Sequence, residues 1–143
     1  MRSGTAITLK YQHDHIEDSV LVFSRQECSM LLLVSADEEI KSFVKLDFDK
    51  AMCTRSARTD CSPAIGIYPK EAGVSFIVEL TESTWPIEAH KSYVYADSNL
   101  KPRGRHFVVS NHDVFHEILA DSFTETLVEN GDDMYQEICR HFV

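Results

Sequence analysis

The chain predicts an α+β fold: one domain over residues 1–143, with an antiparallel sheet of roughly six to eight strands and two C-terminal helices packed on one face. Three observations carry this. Short apolar stretches with period-two alternation recur through the first three quarters of the sequence. Apolar residues near the C-terminus recur instead at helical spacing. Glycine and proline are scattered singly, with no repeat, linker or low-complexity segment between them.

Thr5–Tyr11 places Ile7, Leu9 and Tyr11 on one face and Thr8 and Lys10 on the other, a half-buried strand. His13–Asp18 is a polar turn. Val20–Phe23 and Met30–Ser35 are apolar on both faces, so Arg25–Ser29 is a hairpin connection; periodicity alone does not separate Met30–Ser35 from a short buried helix. Ser42–Asp49 alternates, with Val44, Leu46 and Phe48 inward. Lys50–Pro63 is polar and small and predicts a loop. Ile65–Tyr68 and Val74–Thr81 predict strands, the second with Val74, Phe76, Val78 and Leu80 on one face. Trp85 precedes Pro86 and is expected to be extended. Lys91–Ala96 and Arg105–Val109 predict the last two strands.

Ser110 or Asn111 then caps a first helix whose apolar positions are Val114, Phe115, Ile118, Leu119 and Phe123. Gly131 ends it, and Asp132 opens a second helix through Met134, Tyr135, Ile138, Cys139 and Phe142. Ser122, Thr124 and Thr126 weaken the middle of the first helix.

An apolar content of 43% in a chain of 143 residues supplies a core that needs neither metal nor disulfide. Of the four cysteines (Cys28, Cys53, Cys61 and Cys139), none forms C-x-x-C. The longest apolar stretch, Met30–Val34, is far too short for a bilayer. The expectation is a cytoplasmic protein with free thiols and no membrane partner. The net charge of −9 disfavours nucleic acid as a partner. That charge is uneven: residues 111–143 carry eight acids and one base, whereas residues 87–110 carry four bases and two acids.

The segment Lys101–Glu117 concentrates the candidate chemistry. Lys101, Arg103 and Arg105, with His106, form the one positive loop, suited to a phosphate or carboxylate, and Tyr93 and Tyr95 with Trp85 would supply an aromatic wall. His112 and His116 have the spacing of a helical metal pair, yet they border the apolar face and lack an evident third ligand. His13, His15, Glu17 and Asp18 form a second ligand-rich patch. Cys53 and Cys61 lie near Arg55 and Arg58, where a thiolate would be favoured. No phosphate-binding glycine loop or G-x-S-x-G elbow is present, and no cofactor is implied.

Three functional expectations follow. The first is a non-catalytic, acidic interaction module of the inhibitor or immunity kind, using Asp121, Glu125, Glu129, Asp132 and Asp133 against a basic protein surface. The second is a small-molecule binder for an anionic or aromatic ligand, using Trp85, Tyr93, Tyr95, Lys101, Arg103 and Arg105. The third is a metal-dependent hydrolase using His112 and His116. An exposed strand edge or helix face would also be open to a homodimer.

Overall fold

The computed structural model describes residues 3–61, 65–91 and 103–142. Among them nine strands form two antiparallel sheets. The first sheet orders β1 (Gly4–Thr8), β6 (Phe76–Leu80), β7 (Arg105–Ser110), β8 (Val114–Ala120) and β5 (Cys53–Arg58). The second orders β2 (Ser19–Phe23), β3 (Cys28–Leu33), β4 (Phe43–Asp49) and β9 (Ser122–Val128).

Period-two alternation builds the layer between them. Met30 and Leu32 of β3 meet Val44, Leu46 and Phe48 of β4, and from the opposing sheet Ile77, Phe107, Val109, Ile118 and Ala120 complete one cluster. Leu9 is buried in the same cluster, with Ile7 and Tyr11 packed against it, as the alternation of the first strand predicts.

The sheets are joined at one corner. β4 pairs with β9 and β5 pairs with β8, so the β4–β5 and β8–β9 connections pass together from one sheet to the other. Only Asp121 separates β8 from β9, and its backbone N–H donates to the Asp49 carbonyl at 2.9 Å. At the far edge the Glu125 carboxylate of β9 accepts the backbone N–H groups of Lys10 and Tyr11, at 2.8 and 3.2 Å to Oε2. This ties the end of the first strand's segment to the second sheet.

Each sheet carries one short helix on its outer face. α1 (Trp85–Lys91) covers one end of the five-stranded sheet through Trp85, which stacks on His106. α2 (Tyr135–Arg140) covers the other sheet, with Tyr135 and Ile138 packed on Leu31, Leu33, Phe43 and Val128. No helix among the described residues is long and apolar enough to cross a membrane.

Several sequence expectations are corrected. The helix expected from Asp113 is instead β8 and β9. β8 is buried on both faces, so its apolar residues follow no single period and match helical spacing by coincidence. In β9 the residues Thr124, Thr126 and Val128 are β-branched, and that preference wins once the strand pairs along β4, while β8 is held between β5 and β7. One C-terminal helix therefore remains, and the two helices lie on opposite outer faces. Of Met30–Ser35, the first four residues lie in β3, which ends at Leu33, so this segment is strand and not a buried helix up to that point.

The expected loop Lys50–Pro63 contains β5. Ile65 and Ile67 form no regular strand but pack over Val78, Leu80, Val108 and Phe115. Trp85 opens α1 rather than staying extended, because a proline in the first helical turn has no intrahelical N–H bond to lose. Of the expected strand Lys91–Ala96, Lys91 ends α1 and the remainder lies outside the described residues.

Gly104 makes the turn into β7 at φ +129°, where an added Cβ would stand 2.9 Å from the Ala120 carbonyl oxygen. Gly73 also has positive φ, +77°, but open space around it. Gly73→Ala should cost about 1 kcal/mol from backbone strain alone. Gly104→Ala adds a backbone clash and should cost at least about 1 kcal/mol more. Urea unfolding midpoints of the two variants against the parent chain measure the difference.

Candidate functional site

The outer face of the five-stranded sheet buries a carboxylate. Glu117, on the central strand β8, is 5% exposed. Strand pairing sets Arg55 of β5 directly opposite it and brings His106 of β7 to the same face on the other side. Arg55 donates to Glu117 in a fork, Nε to Oε2 at 2.5 Å and Nη2 to Oε1 at 3.1 Å. His106 Nε2 lies 2.6 Å from Glu117 Oε1. Burial alone would raise the Glu117 carboxyl, but the bonds from His106 and Arg55 outweigh it and hold the group at about 2.

The chain of contacts continues outward. His106 Nδ1 lies 2.6 Å from Ser83 Oγ, and Ser83 Oγ also accepts the Trp85 backbone N–H at 3.2 Å. The Trp85 ring packs on His106 with centroids 4.7 Å apart, and the Arg55 guanidinium lies 4.3 Å from the Trp85 ring centroid. Thr84 anchors the start of α1: its carbonyl accepts the Glu88 N–H at 3.0 Å and its hydroxyl donates to Glu88 Oε1 at 2.9 Å. Glu82, just before Ser83, adopts φ +55°, an uncommon conformation for a residue other than glycine.

These groups line a cleft of about 530 Å³ between the end of β6 and α1, walled by Ser3, Arg55, Ser83, Trp85, Glu88 and His106. Arg55 and His106, both hydrogen-bonded to Glu117 beneath them, form its polar floor, and its side wall is the chain's single tryptophan.

Other sequence candidates lie apart from it. His112 sits in the turn before β8, exposed, with Nδ1 2.9 Å from Asp113 Oδ1. His116 is buried within β8, with Nδ1 2.6 Å from Ser56 Oγ. With one ring exposed on a turn and the other buried in a strand, the shared helical face that the spacing would have provided does not form. No group of three or more metal-ligating side chains occurs among the described residues. His13 and His15 stack with centroids 4.5 Å apart, and His15 Nε2 lies 3.3 Å from Ser75 Oγ. Burial raises the Cys53 thiol above its ordinary value, with Arg55 opposing only in part, so a favoured thiolate there is not supported.

Arg105 is engaged in a fork with Glu79 at 2.9 and 2.6 Å, away from Trp85, while Arg103 is exposed. Lys101, Tyr93 and Tyr95 lie outside the described residues. The acids expected on one helical face are dispersed. Glu125 binds the Lys10–Tyr11 backbone, Asp132 Oδ2 accepts the Glu129 N–H at 2.7 Å, Asp121 lies 4.0 Å from Lys50 Nζ, and Asp133 is exposed.

Of the cleft's central residues, the sequence singled out Trp85 as a wall. Arg55 entered only as a neighbour of Cys53, His106 as part of the basic loop and Glu117 as one acid among eight. Ser83 carried no signal. The chain matches no protein-family model and no curated protein, and its fold matches no solved structure.

Three buried groups set the acid response: His13 and His116, both held below the ordinary imidazole value by burial, and Glu117. Burial, and then the neighbouring His15, lower His13 to about 4, so its ring is neutral in the fold while the unfolded chain accepts a proton near 6.5. The unfolded state thus binds more protons across that window, and stability should fall by about 3 kcal/mol as pH drops through it. Glu117 acts next, its stabilisation being lost between 4.5 and about 2. Urea midpoints should therefore decline continuously below about pH 6.5 with no recovery. His13→Leu should shrink the upper limb to the share that His116 contributes and leave the lower one.

Proposed function

We propose that the protein binds a small polar molecule in the cleft between β6 and α1, with a carboxylate or similar acceptor group of the ligand directed to Arg55. One observation carries this reading. Trp85 is buried with Arg55 against its ring, at the wall of a concave space of about 530 Å³ that is large enough for a small ligand. An aromatic wall beside a few fixed polar groups is the usual composition of such sites.

Arg55 takes the role expected of Arg103 or Arg105. Its fork to Glu117 holds the guanidinium in place, so little side-chain entropy is lost when a ligand adds to its remaining donors. Ser83 and His106 add polar contacts at the same wall. The interaction-module reading is weaker on this arrangement. Glu125 and Asp132 are committed to backbone groups of the fold, and the five acids share no helix.

Trp85 is the only tryptophan, so its emission reports on the cleft alone. Titration with small mono- and dicarboxylates should produce a saturable change in emission. Arg55→Lys keeps the charge but loses the fork, and should weaken binding about tenfold. Unchanged emission and no calorimetric heat across such a panel would count decisively against the proposal.

A further inference from the structure

We infer that Ser83 is the nucleophile of a Ser83–His106–Glu117 acyl-transfer site that cleaves small carboxylic esters in this cleft. The inference rests on the cleft being a small-molecule site, and it assigns a reaction to residues that binding alone does not require. Three facts converge. A hydroxyl, an imidazole and a buried carboxylate stand in line, each 2.6 Å from the next. The hydroxyl and the ring both line the cleft, so an ester carbonyl can reach them. The residue before the hydroxyl is held at φ +55°, the kind of backbone strain that clusters at functional turns.

The proton positions follow from the partners. An ionised carboxylate only accepts, so His106 Nε2 carries the hydrogen directed at Glu117. His106 Nδ1 is then the acceptor for the Ser83 hydroxyl hydrogen. The Trp85 backbone N–H donates to Ser83 Oγ from another side, which fixes the position of the oxygen. The ring is pinned by Glu117 at one nitrogen and packed on Trp85. Which ring nitrogen serves as base is immaterial, provided the other is held by the carboxylate.

The reaction balances without any group beyond water. Ser83 Oγ bonds to the ester carbonyl carbon while its proton passes to His106 Nδ1. The carbon–alkoxy bond then breaks, and the leaving oxygen takes that proton as an alcohol. A water molecule next gives a proton to Nδ1 and its hydroxide to the acyl carbon. The Ser83–acyl bond breaks, and Oγ recovers the proton. The transient oxyanion forms in the cleft that Arg55 lines, and the product carboxylate is the ligand class proposed for that arginine.

The test treats the full chain with a fluorophosphonate probe and maps the adduct by peptide mass spectrometry. Turnover of p-nitrophenyl acetate and Trp85 emission with acetate are followed in parallel. One adduct per chain, at Ser83, with release of p-nitrophenolate supports the inference. Ser83→Ala should lower turnover by about 100-fold or more. Because the adduct is located in the parent chain, the result stands even if that variant folds poorly. No adduct at Ser83, or equal turnover in Ser83→Ala, overturns the inference. If Trp85 emission still responds to acetate in that case, the binding proposal survives on its own. An adduct at Ser83 with no emission response supports the nucleophile and removes Arg55 as a carboxylate anchor. Failure of both readouts removes both.

Discussion

The arrangement of the outer sheet face depends on the buried charge of Glu117. Taking a carboxylate out of water costs several kcal/mol unless its lone pairs are filled by good donors. A central strand has neighbours only to its left and right, so the donors must come from both. β5 supplies Arg55 and β7 supplies His106, and their hydrogen bonds keep the group ionised despite its burial. The strand order β7-β8-β5 is therefore also an electrostatic arrangement. Any register slip of one residue would carry Glu117 to the apolar inner layer. The carboxylate thus specifies pairing as well as face.

That charge stays dry because both ends of the face are covered by different means. At one end Trp85 of α1 closes over His106 and Arg55. At the other, Ile65 and Ile67 lie over an apolar patch of Val78, Val108 and Phe115. Polar and apolar halves of one sheet face are thereby segregated, and the cleft opens only on the polar half. The opposite face needs no such device. It meets the second sheet through aliphatic and aromatic side chains, with the shared corner at Asp121 and the Glu125 contact to Lys10 and Tyr11 limiting how far the sheets can part.

Alternation made the inner layer legible in the sequence. Val44, Leu46 and Phe48 lie where period two places them, as do Ile7, Leu9 and Tyr11. It failed at β8, where burial on both faces removes the polar half of the pattern, and at β5, where Arg55, Ser56 and Arg58 look like loop. The site was legible only in part, for a related reason. Its members come from β5, β7, β8 and the turn before α1, and cross-strand register brings them together. Sequence spacing records neighbours along a helix or within one strand, but it carries no mark of which residue stands opposite Glu117. The His112/His116 pattern was conspicuous because it was local, and locality had no consequence once the segment formed a turn and a strand.

Alternation also decides which groups of Lys101–Glu117 can act together. His106 and Glu117 share the outer face, whereas His116, next in sequence to Glu117, points to the opposite side and meets Ser56. Within the outer group, Arg55 and His106 compete for one carboxylate. Arg55 takes two hydrogen bonds, so the guanidinium matches the carboxylate's charge, and His106 adds a single hydrogen bond. What remains for His106 is orientation: Nε2 is held by the carboxylate, so Nδ1 is left facing Ser83. Glu117 thus acts on His106 as a positioning residue, and Arg55, held by its fork, stays in the cleft wall, where a ligand's acceptor group would meet its remaining donors.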